Sequence, residues 1–351
     1  MNRTLSTNLS FAPGTCAAIF ALALAAAAPA HAADLELNLY SARHYQTDEA
    51  LYKDFTDATG IRINRIELGD EALLERLRSE GDKSPADVVL LVDASRLWKA
   101  QSQNLFQPVH SAVLDARIPA EFRATDNSWF GFSSRARMIV YNKANLKPAD
   151  VDSYEELADP KNKGKLCTRS GSHPYNLSLF ASLLERHGED KTRELLKGYV
   201  ANMARSPKGG DTDQIRAVAS GECGVALTNS YYWVRLLKST KPADKDVVAR
   251  VGALMPNQAT SGAQMNLAGG AVARHAPHKQ VAVRFLEYLA SDKAQVYFAA
   301  GNNEWPIVKG AVADNPALAS LGEFKEDRSS VEKVGMRTGD AQKLLDQVGY
   351  R

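Results

Sequence analysis

Three short clusters of polar and aromatic side chains stand where a predicted strand ends and a helix is about to begin. They are Arg43-His44-Tyr45, Ser172-His173-Pro174-Tyr175-Asn176 and Asn229-Ser230-Tyr231-Tyr232. In open α/β sheets, ligands bind in the crevice beyond the carboxyl ends of the strands. We therefore expect all three clusters to face one cleft.

The tyrosines and histidine of these clusters suit two kinds of site. A phenolate is a hard anionic oxygen donor that matches Fe(III), three phenolates would balance its charge, and a histidine can complete the ligand set. Since a free phenol has a pKa of about 10, a metal must displace its proton and should bind more weakly as the pH falls. Alternatively, the rings form an aromatic cage around an organic solute. The residue types alone leave both alternatives open.

The adjacent tyrosines Tyr231 and Tyr232 are more informative than single ones. Neighbouring residues inside a helix diverge by about 100°, so we expect this pair to lie in a turn before the helix, where both rings can point inward. Arg135 and Arg137 precede an apolar run that ends at Tyr141. They are interpreted either as salt-bridge partners or as cations close to a metal or an anion.

The elements that must position these residues follow a simple cycle. From Leu35 onward, short apolar runs alternate with amphipathic helices, which predicts an α/β fold with a largely parallel sheet. Strands are predicted over 35–41, 61–68 and 87–92, and helices over 47–59, 71–79 and 95–103. A second set of such elements begins near residue 138. Because no flexible linker separates the two sets, we expect two lobes, strands that cross between them and a hinged cleft.

The first 32 residues have the features of a secretory signal peptide. Arg3 precedes an apolar run over 17–28 that is too short to span a bilayer comfortably, and Ala30-His31-Ala32 has the small-x-small form of a cleavage site. We expect cleavage after Ala32. No later run is long and apolar enough for a transmembrane helix, so the sequence predicts export to a periplasm without an anchor.

Charge, motifs and cysteine content bear on which classes of protein the sequence fits. The 351 residues carry 43 Lys+Arg and 41 Asp+Glu, without a dense basic block, so nucleic acid is not an expected partner. The sequence contains no Gly-x-Ser-x-Gly, His-Glu-x-x-His or Gly-rich phosphate loop. After signal cleavage two cysteines remain, Cys167 and Cys223, each bordering a predicted strand. The sequence does not decide whether they form a disulfide.

Four segments of the sequence carry a resemblance to a known family. They are Leu39-Tyr40-Ser41-Ala42-Arg43-His44-Tyr45, Phe130-Gly131-Phe132-Ser133-Ser134-Arg135-Ala136-Arg137, Asn229-Ser230-Tyr231-Tyr232 and Asn302-Asn303-Glu304-Trp305-Pro306. These segments resemble the periplasmic iron-binding proteins of ABC importers, the bacterial transferrin-like ferric-binding family. The resemblance covers essentially the whole mature chain and implies an α/β, two-lobed periplasmic-binding-protein type II fold with a hinged inter-lobe cleft. After the signal peptide (1–32), it implies an N-terminal lobe of residues 33–133 and 262–308 and a C-terminal lobe of residues 134–261 and 309–351.

The same resemblance implies a set of metal ligands in which protein side chains supply nearly all the donors. Arg135 matches the arginine that lies close to the metal in similar proteins, without binding it. The metal is expected to be iron, as Fe(III), with Fe(II) left open. The ligands implied are His44, Tyr45, Tyr175, Tyr231 and Tyr232.

The function implied is capture and delivery of iron rather than catalysis. The partners implied are an inner-membrane ABC permease and its ATPase, and we expect a monomer that is not embedded in the membrane. The sequence leaves two other classes of protein as alternatives. One is a binding protein for an organic solute held in an aromatic cage, and the other is a periplasmic metalloenzyme, for which the sequence supplies no general base.

Overall fold

The computed structural model describes Asn8 and residues 35–43, 45–312, 314–327 and 329–351. Apart from Asn8, the predicted signal peptide lies outside the described residues, and so does the candidate ligand His44. The fold described below is that of the unit Leu35–Arg351.

The strands of the described part of the chain are β1 (Glu36–Ser41), β2 (Arg62–Glu67), β3 (Val88–Leu91), β4 (Phe106–Gln107), β5 (Phe130–Asn142), β6 (Leu166–Cys167), β7 (Val225–Asn229), β8 (Val251–Leu254), β9 (Ala263–Ala273), β10 (Trp305–Pro306) and β11 (Glu326–Asp327).

The α-helices of the same part are α1 (Asp48–Thr59), α2 (Asp70–Glu80), α3 (Ala94–Ser102), α4 (Ala112–Arg117), α5 (Pro174–His187), α6 (Glu189–Asn202), α7 (Asp211–Ser220), α8 (Ser230–Lys238), α9 (Pro242–Arg250), α10 (Lys279–Leu289), α11 (Asp292–Val296), α12 (Pro316–Ala319), α13 (Val331–Met336) and α14 (Thr338–Val348). A π-helical turn, Tyr297–Gly301, follows α11.

The strands form a mixed sheet in the order β2-β1-β3-β9-β5-β7-β6. Strand β1 pairs in parallel with β2 and β3, and β6 pairs in parallel with β7. Strands β5 and β9 pair antiparallel with each other, β9 pairs antiparallel with β3, and β5 pairs antiparallel with β7. The prediction of a largely parallel sheet was therefore wrong. Short apolar runs show where strands lie but carry no information on their direction, which long-range pairing sets.

Strand β5 passes from one part of the sheet to the other, as the expectation of crossing strands requires. Its residues from Phe130 to Ala136 pair with β9, whereas those from Arg137 to Tyr141 pair with β7. Two α/β lobes are built around these two parts, each with its own buried apolar clusters. Strand β5 runs unbroken through the predicted boundary at 133/134 and so marks no break between the lobes there. The predicted residue limits of the two lobes therefore stay predictions.

Most predicted elements are found within one or two residues of their expected ends. Helix α1 ends at Gly60, whose φ of 73° is in the left-handed region that glycine adopts at low cost. Thr47 occupies the predicted N-cap position, but its hydroxyl donates to Asn302 rather than capping the helix. Strand β5 begins well before the apolar run that ends at Tyr141, because buried polar and glycine residues interrupt the apolar pattern in its first half.

Cys167 and Cys223 form a disulfide with a Cα–Cα distance of 5.8 Å. Cys167 belongs to β6 and Cys223 precedes β7, so the bond joins two neighbouring strands of one lobe. In the described residues, no helix is long and apolar enough to cross a membrane.

Candidate metal centre

Tyr175 and Tyr231 lie in the first turns of α5 and α8, which follow β6 and β7. Because β6 and β7 are adjacent parallel strands, the helices that follow them begin at the same edge of the sheet. The two phenol oxygens are 2.9 Å apart, and both residues are buried, with 8% and 2% of their surfaces exposed. Two of the predicted clusters therefore meet.

Tyr45 brings the first cluster to the same place from the other lobe. It follows β1, and its ring centroid lies 6.2 Å from that of Tyr231 in an edge-on arrangement. The Arg43 guanidinium lies 5.0 Å from the centre of the Tyr45 ring. The expected convergence of three strand ends on one cleft is thus observed for the tyrosines, whereas the structure does not describe His44.

Tyr232 packs directly on Tyr231, with ring centroids 4.3 Å apart and an angle of 33° between the planes. Helix α8 begins at Ser230, so both tyrosines are helical and the expectation of a turn before the helix was wrong. The side chains compensate for the helical divergence by stacking against each other. Tyr232 stays half-buried and interacts with the Arg169 guanidinium.

Arg135 lies on β5 directly before the crossing point and is 1% exposed. Its guanidinium carbon is 5.7 Å from the centre of the Tyr175 ring, and its Nε and Nη1 have no hydrogen-bond partner among the described residues. Among the described residues, no carboxylate forms an ion pair with the Arg135 guanidinium within 4.0 Å. Of the two arginines, only Arg137 forms a salt bridge, with Asp211 at 2.8 Å.

Burial controls the protonation of the phenols. It raises the pKa of Tyr175 and Tyr231 well above the ordinary value of 10.0, and neighbouring phenols raise these values further. Burial also raises the pKa of Tyr45, with a further contribution from the charge of Glu304. The positive charge of Arg135 acts in the opposite direction at all three. Without a metal, these phenols are therefore neutral at pH 7.

His173 is the N-cap of α5 and supports Tyr175. Its Nδ1 accepts a hydrogen bond from the Tyr175 amide at 3.3 Å, and the two rings lie 4.5 Å apart. Burial and the charge of Arg169 lower the pKa of His173 to about 3. His173 is therefore neutral, with Nδ1 occupied as an acceptor.

The sequence did not single out Glu304, Arg43 or Arg169 as individual members of the site. Glu304 is fully buried, accepts from the Ser133 hydroxyl at 2.5 Å and lies 4.0 Å from Arg43. Arg43 makes two hydrogen bonds to Asp48, at 2.8 and 3.2 Å. Arg43 belongs to the first predicted cluster and Glu304 to a segment that carries the resemblance, but nothing in their spacing predicts that they meet.

The donor set available for a metal is dominated by phenols. Within the described ranges, no group of three His, Cys, Asp or Glu residues could hold a metal ion. Tyr45, Tyr175, Tyr231 and Tyr232 instead provide hard oxygen donors, and the neighbouring guanidiniums favour their anionic forms. The arrangement suits a small, highly charged cation held between two lobes.

This fold and site define a two-lobed solute-binding protein. A family model described as bacterial extracellular solute-binding protein matches residues 50–326, and the chain belongs to this family. The chain is 48% identical to iron uptake protein A1 of Synechocystis sp. over 316 residues, which are 90% of this chain and 88% of that protein.

Solved structures show the same relationship. The Trichodesmium protein (IdiA, FutA) in complex with iron and citrate has a TM-score of 0.86 and 48% identity, covering 90% of this chain and 100% of that one. The ferric binding protein from Campylobacter jejuni has a TM-score of 0.86 and 37% identity, with the same coverage. The predicted type II fold and the resemblance to ferric-binding proteins are confirmed.

Proposed function

We propose that this protein is the solute-binding component of an ABC importer that captures iron in the cleft between its lobes. The observation that carries the proposal is the convergence of Tyr45, Tyr175 and Tyr231 from two lobes, with two phenol oxygens 2.9 Å apart. Relatives that share about half of its residues are named for iron uptake or solved with iron. Both facts favour iron over an organic solute held in an aromatic cage.

The proposed ligands are the phenolate oxygens of Tyr45, Tyr175, Tyr231 and Tyr232, together with His44. Three phenolates neutralise Fe(III), which is the oxidation state that hard oxygen donors prefer. Arg135 lies close to the Tyr175 ring and is proposed to stabilise the anionic ligands without binding the metal. The ligands come from both lobes, so iron stabilises the closed form.

Delivery follows from the same geometry. Opening of the lobes at an inner-membrane permease separates Tyr45 from Tyr175 and Tyr231, and protonation of the phenolates or reduction of the iron weakens the remaining bonds. The ATPase of the importer drives the transport cycle. The chain itself is proposed to act as a periplasmic monomer without catalytic activity, after cleavage of the signal peptide behind Ala32.

The test is a visible absorption spectrum of the mature protein with added ferric iron. Phenolate-to-iron charge transfer should give a strong visible band, and Tyr231→Phe should weaken and shift it because one phenolate is lost. Tyr288→Phe is the matched control, since the Tyr288 hydroxyl donates to Asp54 at 2.9 Å in the N-terminal lobe. A wild-type protein that stays colourless and does not bind added Fe(III) would falsify the proposal of a ferric site.

A further inference from the structure

Asp211 is a fully buried carboxylate at the start of α7, with none of its side-chain surface exposed. Its Oδ2 accepts hydrogen bonds from Arg137 Nη1 at 2.8 Å and from the Asn229 amide at 2.7 Å. Its Oδ1 accepts from Arg169 Nη1 at 3.3 Å. One carboxylate therefore joins β5, the end of β7 and the loop after β6.

Each of these contacts leads to a tyrosine of the candidate site. Asn229 is the N-cap of α8, so its bond to Asp211 holds the backbone from which the Tyr231-Tyr232 pair starts. The Arg169 guanidinium lies 5.2 Å from the centre of the Tyr175 ring.

The third contact reaches the start of α5. Arg137 Nη2 donates to Asn176 Oδ1 at 2.9 Å, and Asn176 follows Tyr175 directly. The Asn176 side-chain amide in turn donates to the carbonyl oxygens of Arg169 and Ser170, both at 3.0 Å. The loop after β6 and the first turn of α5 are thus held to the same cluster.

A buried ion-pair cluster adds little net stability, because desolvation of the charges offsets their attraction. Such a cluster instead fixes the geometry of the residues around it. Replacement of groups that hold metal ligands in place commonly changes metal affinity. We propose that Asp211 is a positioning residue of the iron site, which sets the spacing of Tyr175 and the Tyr231-Tyr232 pair and orients Arg169 over Tyr175. This inference rests on the proposed function.

The test uses Asp211→Asn, which removes the charge at nearly constant size. Ferric iron is supplied as its nitrilotriacetate chelate, and affinity and the visible band are measured together. We expect affinity to fall by about 10- to 100-fold and the band to shift, because the phenolates no longer meet the iron in the same geometry. A loss of folding stability alone would not move the band of the folded protein.

Asp87→Asn is the matched control. Asp87 is also fully buried and accepts from the Asn38 and His278 amides at 2.8 and 2.7 Å, but it lies in the other lobe, on the segment before β3. This variant should keep the wild-type band and affinity even if its unfolding midpoint falls. An equal shift in the control would contradict a specific role for Asp211.

The outcomes separate this inference from the proposed function. A wild-type protein that binds no iron contradicts the function itself. If the wild type binds iron and folded Asp211→Asn keeps its affinity and band, only the positioning role is overturned. If Asp211→Asn does not fold, Arg169→Met removes one contact of the cluster at a side chain that is 16% exposed. Wild-type affinity and band in that variant would equally overturn the inference.

Discussion

At the scale of single residues, the candidate site consists of buried phenols that are protonated in the absence of a metal. Burial raises the pKa of Tyr45, Tyr175 and Tyr231, because a phenolate in a dry environment is poorly solvated. In the proposed site, a trivalent metal would supply the missing charge compensation, and the positive charge of Arg135 lowers the same pKa values. Burial also strengthens the attraction between a phenolate and a bound cation, because the local dielectric is low.

This protonation state predicts that iron binding releases protons. The raised pKa values mean that each phenol is protonated at pH 7, so about one proton should leave for every phenol that becomes a ligand. Affinity should consequently fall as the pH is lowered from 8 to 5.5, since protons and iron compete for the same oxygens. Titration calorimetry in two buffers of different ionisation enthalpy counts the protons.

The control for proton release is Tyr231→Phe, which should release about one proton fewer than the wild type. Iron binding that releases no protons and keeps the same affinity across this pH range would contradict phenolate ligation.

At the scale of elements, short strands, each followed by a helix, bring the tyrosines together. The loop after β6 is held from a second side by the C-terminal residues that follow α14. The Tyr350 hydroxyl donates to Thr168 Oγ1 at 2.8 Å, and its ring lies 5.4 Å from that of Phe180 on α5. Gly171 contacts the same residue so closely that an added Cβ would lie 2.4 Å from the Tyr350 carbonyl oxygen.

Substitution of Tyr350 should therefore destabilise the lobe that carries Tyr175. Tyr350→Ala leaves a cavity at a residue that is 1% exposed and should lower the free energy of unfolding by about 3–5 kcal/mol. Tyr350→Phe keeps the ring but removes the hydroxyl, which donates to Thr168 and accepts a long hydrogen bond from Asn176, and should cost about 1 kcal/mol. Urea denaturation followed by circular dichroism measures both. Equal losses in the two variants would show that packing of the ring contributes little.

At the scale of the whole molecule, β5 runs from one lobe into the other without a flexible linker, which suits hinged closure around a ligand. The disulfide acts at this scale too, because it restricts the unfolded chain. Cys167 and Cys223 are separated by 56 positions in the sequence. Their bond closes a loop that contains α5, α6 and α7.

Loss of this disulfide should lower the free energy of unfolding, because the unfolded chain gains conformational freedom. The double variant Cys167→Ala, Cys223→Ala should be less stable than the oxidised wild type by about 2–5 kcal/mol, because its unfolded chain is less constrained. Urea denaturation with and without reductant gives the comparison. Reductant should shift the wild-type midpoint and leave that of the double variant unchanged. An identical midpoint for the oxidised wild type and the double variant would contradict the prediction.

Much of this could be predicted from the sequence, because the features concerned are local. The alternation of apolar runs and amphipathic helices sets where strands and helices lie, and Gly60 terminates α1 wherever the rest of the chain goes. The clusters at Tyr45, Tyr175 and Tyr231 lie between the end of a strand and the first turn of the next helix, so the rule that ligands bind beyond strand ends was enough to expect their convergence.

Only the tertiary structure decided the features that depend on contacts between distant segments. Strand direction in β5 and β9, the disulfide, and the helical rather than loop position of Tyr231 all follow from pairing and packing. The cluster around Asp211 brings together residues from β5, β7 and the loop after β6. No local pattern encodes such a meeting. Each residue taken alone is an ordinary polar or charged residue, and it becomes a buried partner only when the lobe has folded around it.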